Sequence, residues 1–80
     1  MSSYKHEWRI RKKKGECFQF LHIEETGGHD FLTEWVTITR WGKNHVKIDV
    51  SGHCMIPIDS MKMFIEEFQK FIKEMEAEEK

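Results

Sequence analysis

Met61, Phe64, Ile65, Phe68, Phe71, Ile72 and Met75 recur at intervals of three and four residues, the spacing of one face of an α-helix. Seven large apolar groups on one stripe are unstable in water, so this helix has to be covered. The segment upstream is the surface available to cover it. The predicted helix spans 59–76. Pro57 precedes it, Asp59 or Ser60 can cap it, and residues 77–80 are expected to fray. Glu66 and Lys70 form a favourable i,i+4 pair on its outer side. Phe68 lies at the centre of the stripe and is expected to be buried against the sheet.

Upstream, residues 5–51 alternate with the period of two that marks strands, and they are rich in aromatic and β-branched residues. Glycines at 15, 27–28 and 42 divide the segment into four stretches. A two-residue turn at Lys14-Gly15 pairs Arg11 with Phe18 and Arg9 with Phe20. A three-residue loop at Gly42-Lys43-Asn44 pairs Trp41 with His45, which sets Ile38 against Ile48 and Val36 against Val50. These registers give one apolar face made of Trp8, Ile10, Cys17, Leu21, Ile23, Leu32, Val36, Ile38, Val46, Ile48 and Val50. The fold expected is α+β: a single domain with a four-stranded antiparallel sheet and one C-terminal amphipathic helix packed on one face. Apolar groups in surplus on the helix, Phe64 or Phe71 with Met75, would be covered by a second copy in a homodimer.

The opposite face then carries Arg9, Arg11, Lys13, Phe18, Phe20, His22, Thr33, Trp35, Thr37, Thr39, Trp41, His45 and Lys47. The solvent face of an antiparallel sheet is ordinarily polar. Rings interleaved with cations suit single-stranded nucleic acid, because bases stack on rings and Lys/Arg neutralise phosphates. Phe18, Phe20, Trp35 and Trp41 are the stacking candidates. Arg9, Arg11, Lys13, Lys43 and Lys47 are the phosphate contacts. The alternative reading of the same face is a protein interface, such as that of a small phage-type inhibitor docking on a host protein.

The segment Trp35–Ile72, WVTITRWGKNHVKIDVSGHCMIPIDSMKMFIEEFQKFI, resembles the C-terminal domain of the transcriptional positive-cofactor-four family. That resemblance implies four strands followed by a helix that helps the domain dimerise, an aromatic and basic pair of strands, and binding of single-stranded DNA.

Other chemistries find little support. Net charge is −1, so there is no global attraction to polyanions. Residues 1–58 carry nine Lys/Arg against seven Asp/Glu, while residues 59–80 carry four against seven, leaving the sheet mildly basic and the helix acidic. Cys17 and Cys54 lack the paired spacing of a zinc site and read as buried thiols. No phosphate-cradling glycine loop and no nucleophile–base pattern is present, so the expectation is a non-catalytic module without cofactor or metal. Residues 1–14 are polar and basic with no apolar core, and no apolar run is long enough to span a membrane. The expected location is intracellular, cytoplasmic or nuclear.

Overall fold

The computed structural model describes residues 4–78. Strands β1 (Tyr4–Lys13), β2 (Cys17–Thr26), β3 (His29–Trp41) and β4 (His45–Val50) form one antiparallel sheet in the order β1-β2-β3-β4. Helix α1 (Ile58–Glu78) follows. This is the expected α+β arrangement. The helix begins one residue before the expected span, with the Pro57 carbonyl accepting the Met61 N–H at 2.9 Å. Asp59 therefore lies within the first turn, where a carboxylate favours the helix dipole. Ala77 and Glu78 remain helical, and residues 79–80 of the expected frayed tail lie outside the described residues.

The β3–β4 register has the expected pairs Trp41–His45, Ile38–Ile48 and Val36–Val50. The first hairpin differs. Lys13 pairs with Cys17, so the loop is three residues long, Lys14 to Glu16. Gly15 takes φ 77°, a conformation L side chains rarely adopt, and the Glu16 N–H closes the turn on the Lys13 carbonyl at 3.0 Å. One extra loop residue shifts the pairing by one and turns β2 over relative to the expected faces. Ile10 now pairs with Phe20, and Trp8 with His22. The same side of β3 supplies Val36 opposite Phe20 and Ile38 opposite Phe18.

Phe18 and Phe20 are therefore core residues, 2% and 0% exposed. His22 is buried with them, whereas Cys17, Leu21 and Ile23 turn to the open face. The ring of Phe20 lies between Trp8 (centroids 4.7 Å, 16° between planes) and Phe64 (4.9 Å, 9°). Phe18 meets Phe64, Phe68 and Phe71 edge-on at 5.4–5.9 Å. Val36, Ile38 and Met75 complete the core.

Two-residue Gly27-Gly28 joins β2 to β3, both glycines at positive φ (59° and 81°), as a tight hairpin turn demands. Just beyond it a bulge breaks the register: His22 pairs with Glu34 and Ile23 with Leu32, leaving Thr33 extra. The hydroxyl of Thr33 meets His22 Nδ1 at 2.7 Å and donates to the His22 carbonyl at 3.3 Å. His22 Nε2 lies 3.3 Å from His6 Nδ1, so both nitrogens of this buried ring are engaged. His22 and Thr33 thus belong to the helix side at this end of the sheet, not to the open face expected for them.

Helix α1 covers only part of the sheet. A helix is about 10 Å wide and strands are about 4.8 Å apart, so one helix roofs roughly two of four strands. The aromatic pair on β2 fixes which ones. Phe64 packs on Phe18 and Phe20 of β2, Phe71 packs on Phe18, and Lys12 of β1 reaches Glu67 at 2.7 Å. Phe64, Phe71 and Met75, the groups expected to be in surplus, are buried within the chain's own core, whereas Phe68, expected to be buried, is half-buried. Ile48 and Val50 on β4 point to the helix side yet stay 53% and 50% exposed.

Truncating Phe20 should cost about 3–5 kcal/mol, a large share of the stability of a domain this small. Leu21→Ala, one residue away on the open face, should cost less than about 1.5 kcal/mol. Chemical denaturation of the two variants would show the reverse order if β2 faced the other way.

Candidate nucleic-acid interface

The face turned away from α1 is built of cross-strand rows set by the pairing. Arg9, Leu21 and Trp35 form one row; Arg11, Gln19, Thr37 and Asp49 the next; Lys13, Cys17, Thr39 and Lys47 the third; Trp41 and His45 close it. Four of the five expected phosphate contacts, Arg9, Arg11, Lys13 and Lys47, share this face, and Lys43 lies in the β3–β4 loop beside it. Of the four expected stacking rings, Trp35 and Trp41 are here, 39% and 61% exposed. Phe18 and Phe20 are excluded, because the register of the first hairpin seals them under the helix.

Each tryptophan is held by its backbone. Trp35 donates its N–H to Ser51 Oγ and accepts the Ser51 N–H at its carbonyl, both at 3.0 Å, so the chain clamps this position just after β4 ends. Trp41 is the last residue of β3, and Lys47 Nζ sits 5.3 Å from the centre of its ring. A cation over an indole face marks the ring as an electron-rich surface that attracts positive charge. Six residues of strand separate the two indoles, about 20 Å. Between them Gln19 Nε2 donates to Thr37 Oγ1 at 3.2 Å, tying β2 to β3 across a polar floor.

The cations differ in availability. The Glu7 carboxylate accepts from Arg9 Nε at 2.7 Å, and its hydrogen bond and charge raise the Arg9 pKa. Glu16 does the same for Lys13, from 3.0 Å. Both pairs are exposed, where such contacts contribute little and exchange readily for another anion. Arg11 and Lys47 form no ion pair with a described carboxylate. Asp49 is the one acidic side chain within the four rows.

Residue-level reading of the sequence missed Gln19, Leu21, Ile23 and Leu32 on this face. Leu32, paired with Ile23, is 50% exposed and continues the row of Leu21 and Trp35 as an apolar strip. The signal that could have found the three residues of β2 is the requirement that Trp8 and Ile10 share a face with the larger groups of that strand; Leu32 comes to this face through the bulge at Thr33. Among the described residues no group of three His, Cys, Asp or Glu is placed to hold a metal, and Cys17 and Cys54 are both free thiols of intermediate burial. No helix of the described chain is long and apolar enough to cross a membrane.

Two of the three tryptophans should therefore be reachable from solvent. Acrylamide should quench the emission of Trp35 and Trp41 but hardly that of Trp8, which is 7% exposed. A Trp35→Phe, Trp41→Phe double variant retaining only Trp8 should be nearly inert to the quencher. Strong quenching of that variant would mean that Trp8 is not in the core.

No protein-family profile, curated protein or solved structure matches the chain.

Proposed function

We propose that this domain binds single-stranded nucleic acid on the open face of its sheet, without catalysis. The observation that carries the reading is the pair of exposed indoles on β3, Trp35 and Trp41, set among Arg9, Arg11, Lys13 and Lys47. Each indole offers a flat surface to any base, and the cations neutralise the phosphates between them. A gap of about 20 Å between rings corresponds to several nucleotides of extended strand, so the backbone would run along β3. Thr37, Thr39 and Gln19 on the floor are uncharged and hydrogen-bonding, which favours tolerance of sequence over readout of one base. The resemblance of Trp35–Ile72 to the positive-cofactor-four domain supports the same ligand class.

A second reading rests on a different observation. Leu21, Ile23, Leu32 and Trp35 make an apolar strip on the open face, which would suit a protein partner. The two readings part on salt. Counterion release makes nucleic-acid affinity fall steeply with ionic strength, by a slope of about −0.7 per phosphate contacted on a single strand. An apolar protein contact is far less sensitive.

A pyrimidine oligonucleotide should quench tryptophan emission at low salt, and Trp35→Ala or Trp41→Ala should each weaken binding by roughly 1–3 kcal/mol. Arg11→Ala and Lys47→Ala should each flatten the salt slope by about one contact without loss of fold. Phe18→Ala should act only through stability. Absence of binding to any oligonucleotide at low salt, in protein shown to be folded, would remove the nucleic-acid reading and leave the apolar strip.

A further inference from the structure

At the open end of the β1–β2 hairpin, the helix side of the sheet carries two histidines. The register sets Trp8 opposite His22 and His6 opposite Glu24, so His6 and His22 are diagonal neighbours on one face. The two-residue turn expected at Lys14-Gly15 would have put them on opposite faces. His22 Nε2 lies 3.3 Å from His6 Nδ1, and the ring planes meet at 68°. The protons of this cluster follow from its contacts. Thr33 has one hydroxyl proton and gives it to the His22 carbonyl, so its oxygen accepts the 2.7 Å contact from His22 Nδ1–H. His22 Nε2 is then unprotonated and turns a lone pair toward His6. The His22 ring is held in this pose, 8% exposed and against the Trp8 indole with centroids 5.0 Å apart.

We infer that His6 Nδ1 and His22 Nε2 bind one divalent transition-metal ion of the zinc class, with water in the remaining positions. The spacing suits it. Zinc–imidazole bonds of about 2.0–2.1 Å at a tetrahedral angle place two nitrogens about 3.3–3.4 Å apart, the separation found here. A hydrogen bond between two nitrogens is of similar length, and two further features favour the metal. Ligating histidines ordinarily donate their other ring N–H to an oxygen that fixes tautomer and orientation, as His22 Nδ1–H does to Thr33. The neighbours across the strands are also carboxylates: Glu24 opposite His6 on β2, and Glu34 opposite His22 on β3. Their field favours a cation, while among the described residues no third side chain joins the pair as a ligand. His6 is exposed, so water reaches the remaining positions. On binding, His6 takes its other neutral tautomer, with the proton on Nε2, and none is released overall. Two imidazoles without an oxygen cage select zinc, nickel or copper over magnesium or calcium. The ion would tie β1 to the bulged end of β2 and β3. It is independent of the nucleic-acid reading, which concerns the other face.

Nickel(II) is the first probe, because it binds imidazole, quenches a nearby indole and leaves free thiols unoxidised. In the Trp35→Phe, Trp41→Phe variant of the whole chain the one remaining tryptophan is Trp8. Nickel should quench most of its emission with one ion per chain, zinc should compete for the same site, and magnesium should do neither. His6→Gln keeps an amide donor for His22 Nε2, and with it the fold by circular dichroism. It should abolish the quenching at nickel concentrations that saturate the parent. Quenching unchanged by His6→Gln, or saturable binding that leaves Trp8 emission unchanged, would place the ion elsewhere and overturn the inference. A second measurement needs no variant. Zinc should shift the ring proton resonances of His6 and His22 and leave those of His29, His45 and His53 in place. Shifts confined to the latter three, or no saturable binding of nickel or zinc up to millimolar concentration, would also overturn it.

Discussion

The ring of Phe20 joins the three parts of this domain. It stacks on Trp8 of β1 on one side and on Phe64 of α1 on the other, so that sheet and helix share one aromatic column. Fully burying one such ring stabilises a fold by about 1.5–3 kcal/mol, a sizeable fraction of the net stability of a domain of this length. Other features follow from where Phe20 points. Phe18 and His22 must face the same way, Cys17, Gln19 and Leu21 must face the other, and the helix must sit over β2 to reach the rings. Once it sits there, it is too narrow to cover β4 as well.

The two exposed surfaces are thus consequences of one packing decision, and they differ in chemistry. The open face is polar and basic across its middle rows, with two indoles standing out of it. The groove beside α1, floored by Ile48 and Val50, is uncharged and apolar. The first suits the flexible polyanion we propose for it, and the second offers no charged group to an anion. Lying on opposite sides of the sheet, they do not compete, and a ligand on one leaves the other free. Electrostatics is local throughout: the overall charge is −1, yet Arg9, Arg11, Lys13 and Lys47 are gathered on one side of the sheet, and residues 59–80 carry seven acidic groups against four basic ones.

Much of this was legible in the sequence, and the part that was not has a definite cause. The β3–β4 pairing could be read because Val36 and Ile38 have only one in-phase match with Ile48 and Val50. The helix could be read because its apolar spacing admits no other period. The first hairpin was ambiguous because β2 is apolar at both parities, with Cys17, Leu21 and Ile23 on one side and Phe18 and Phe20 on the other. A two-residue turn at Lys14-Gly15 and a three-residue turn through Glu16 are both good local chemistry. Tertiary packing chose between them: the larger rings went under the helix, and the smaller groups stayed outside. The bulge at Thr33 left no periodic signal, since it depends on a hydrogen bond to His22 across the sheet. In the candidate site, Arg9, Arg11, Lys13, Lys47 and both tryptophans share one face because their parity is the same under either turn, while the two phenylalanines leave it with the register.

That register is the central claim, and interstrand nuclear Overhauser effects measure it directly. The account predicts backbone contacts between Ile10 and Phe20 and between Lys12 and Phe18, together with ring contacts from Phe20 to both Trp8 and Phe64. Contacts from Arg9 to Phe20 and from Arg11 to Phe18 as directly opposed pairs, with the Phe20 ring seeing neither Trp8 nor Phe64, would contradict it.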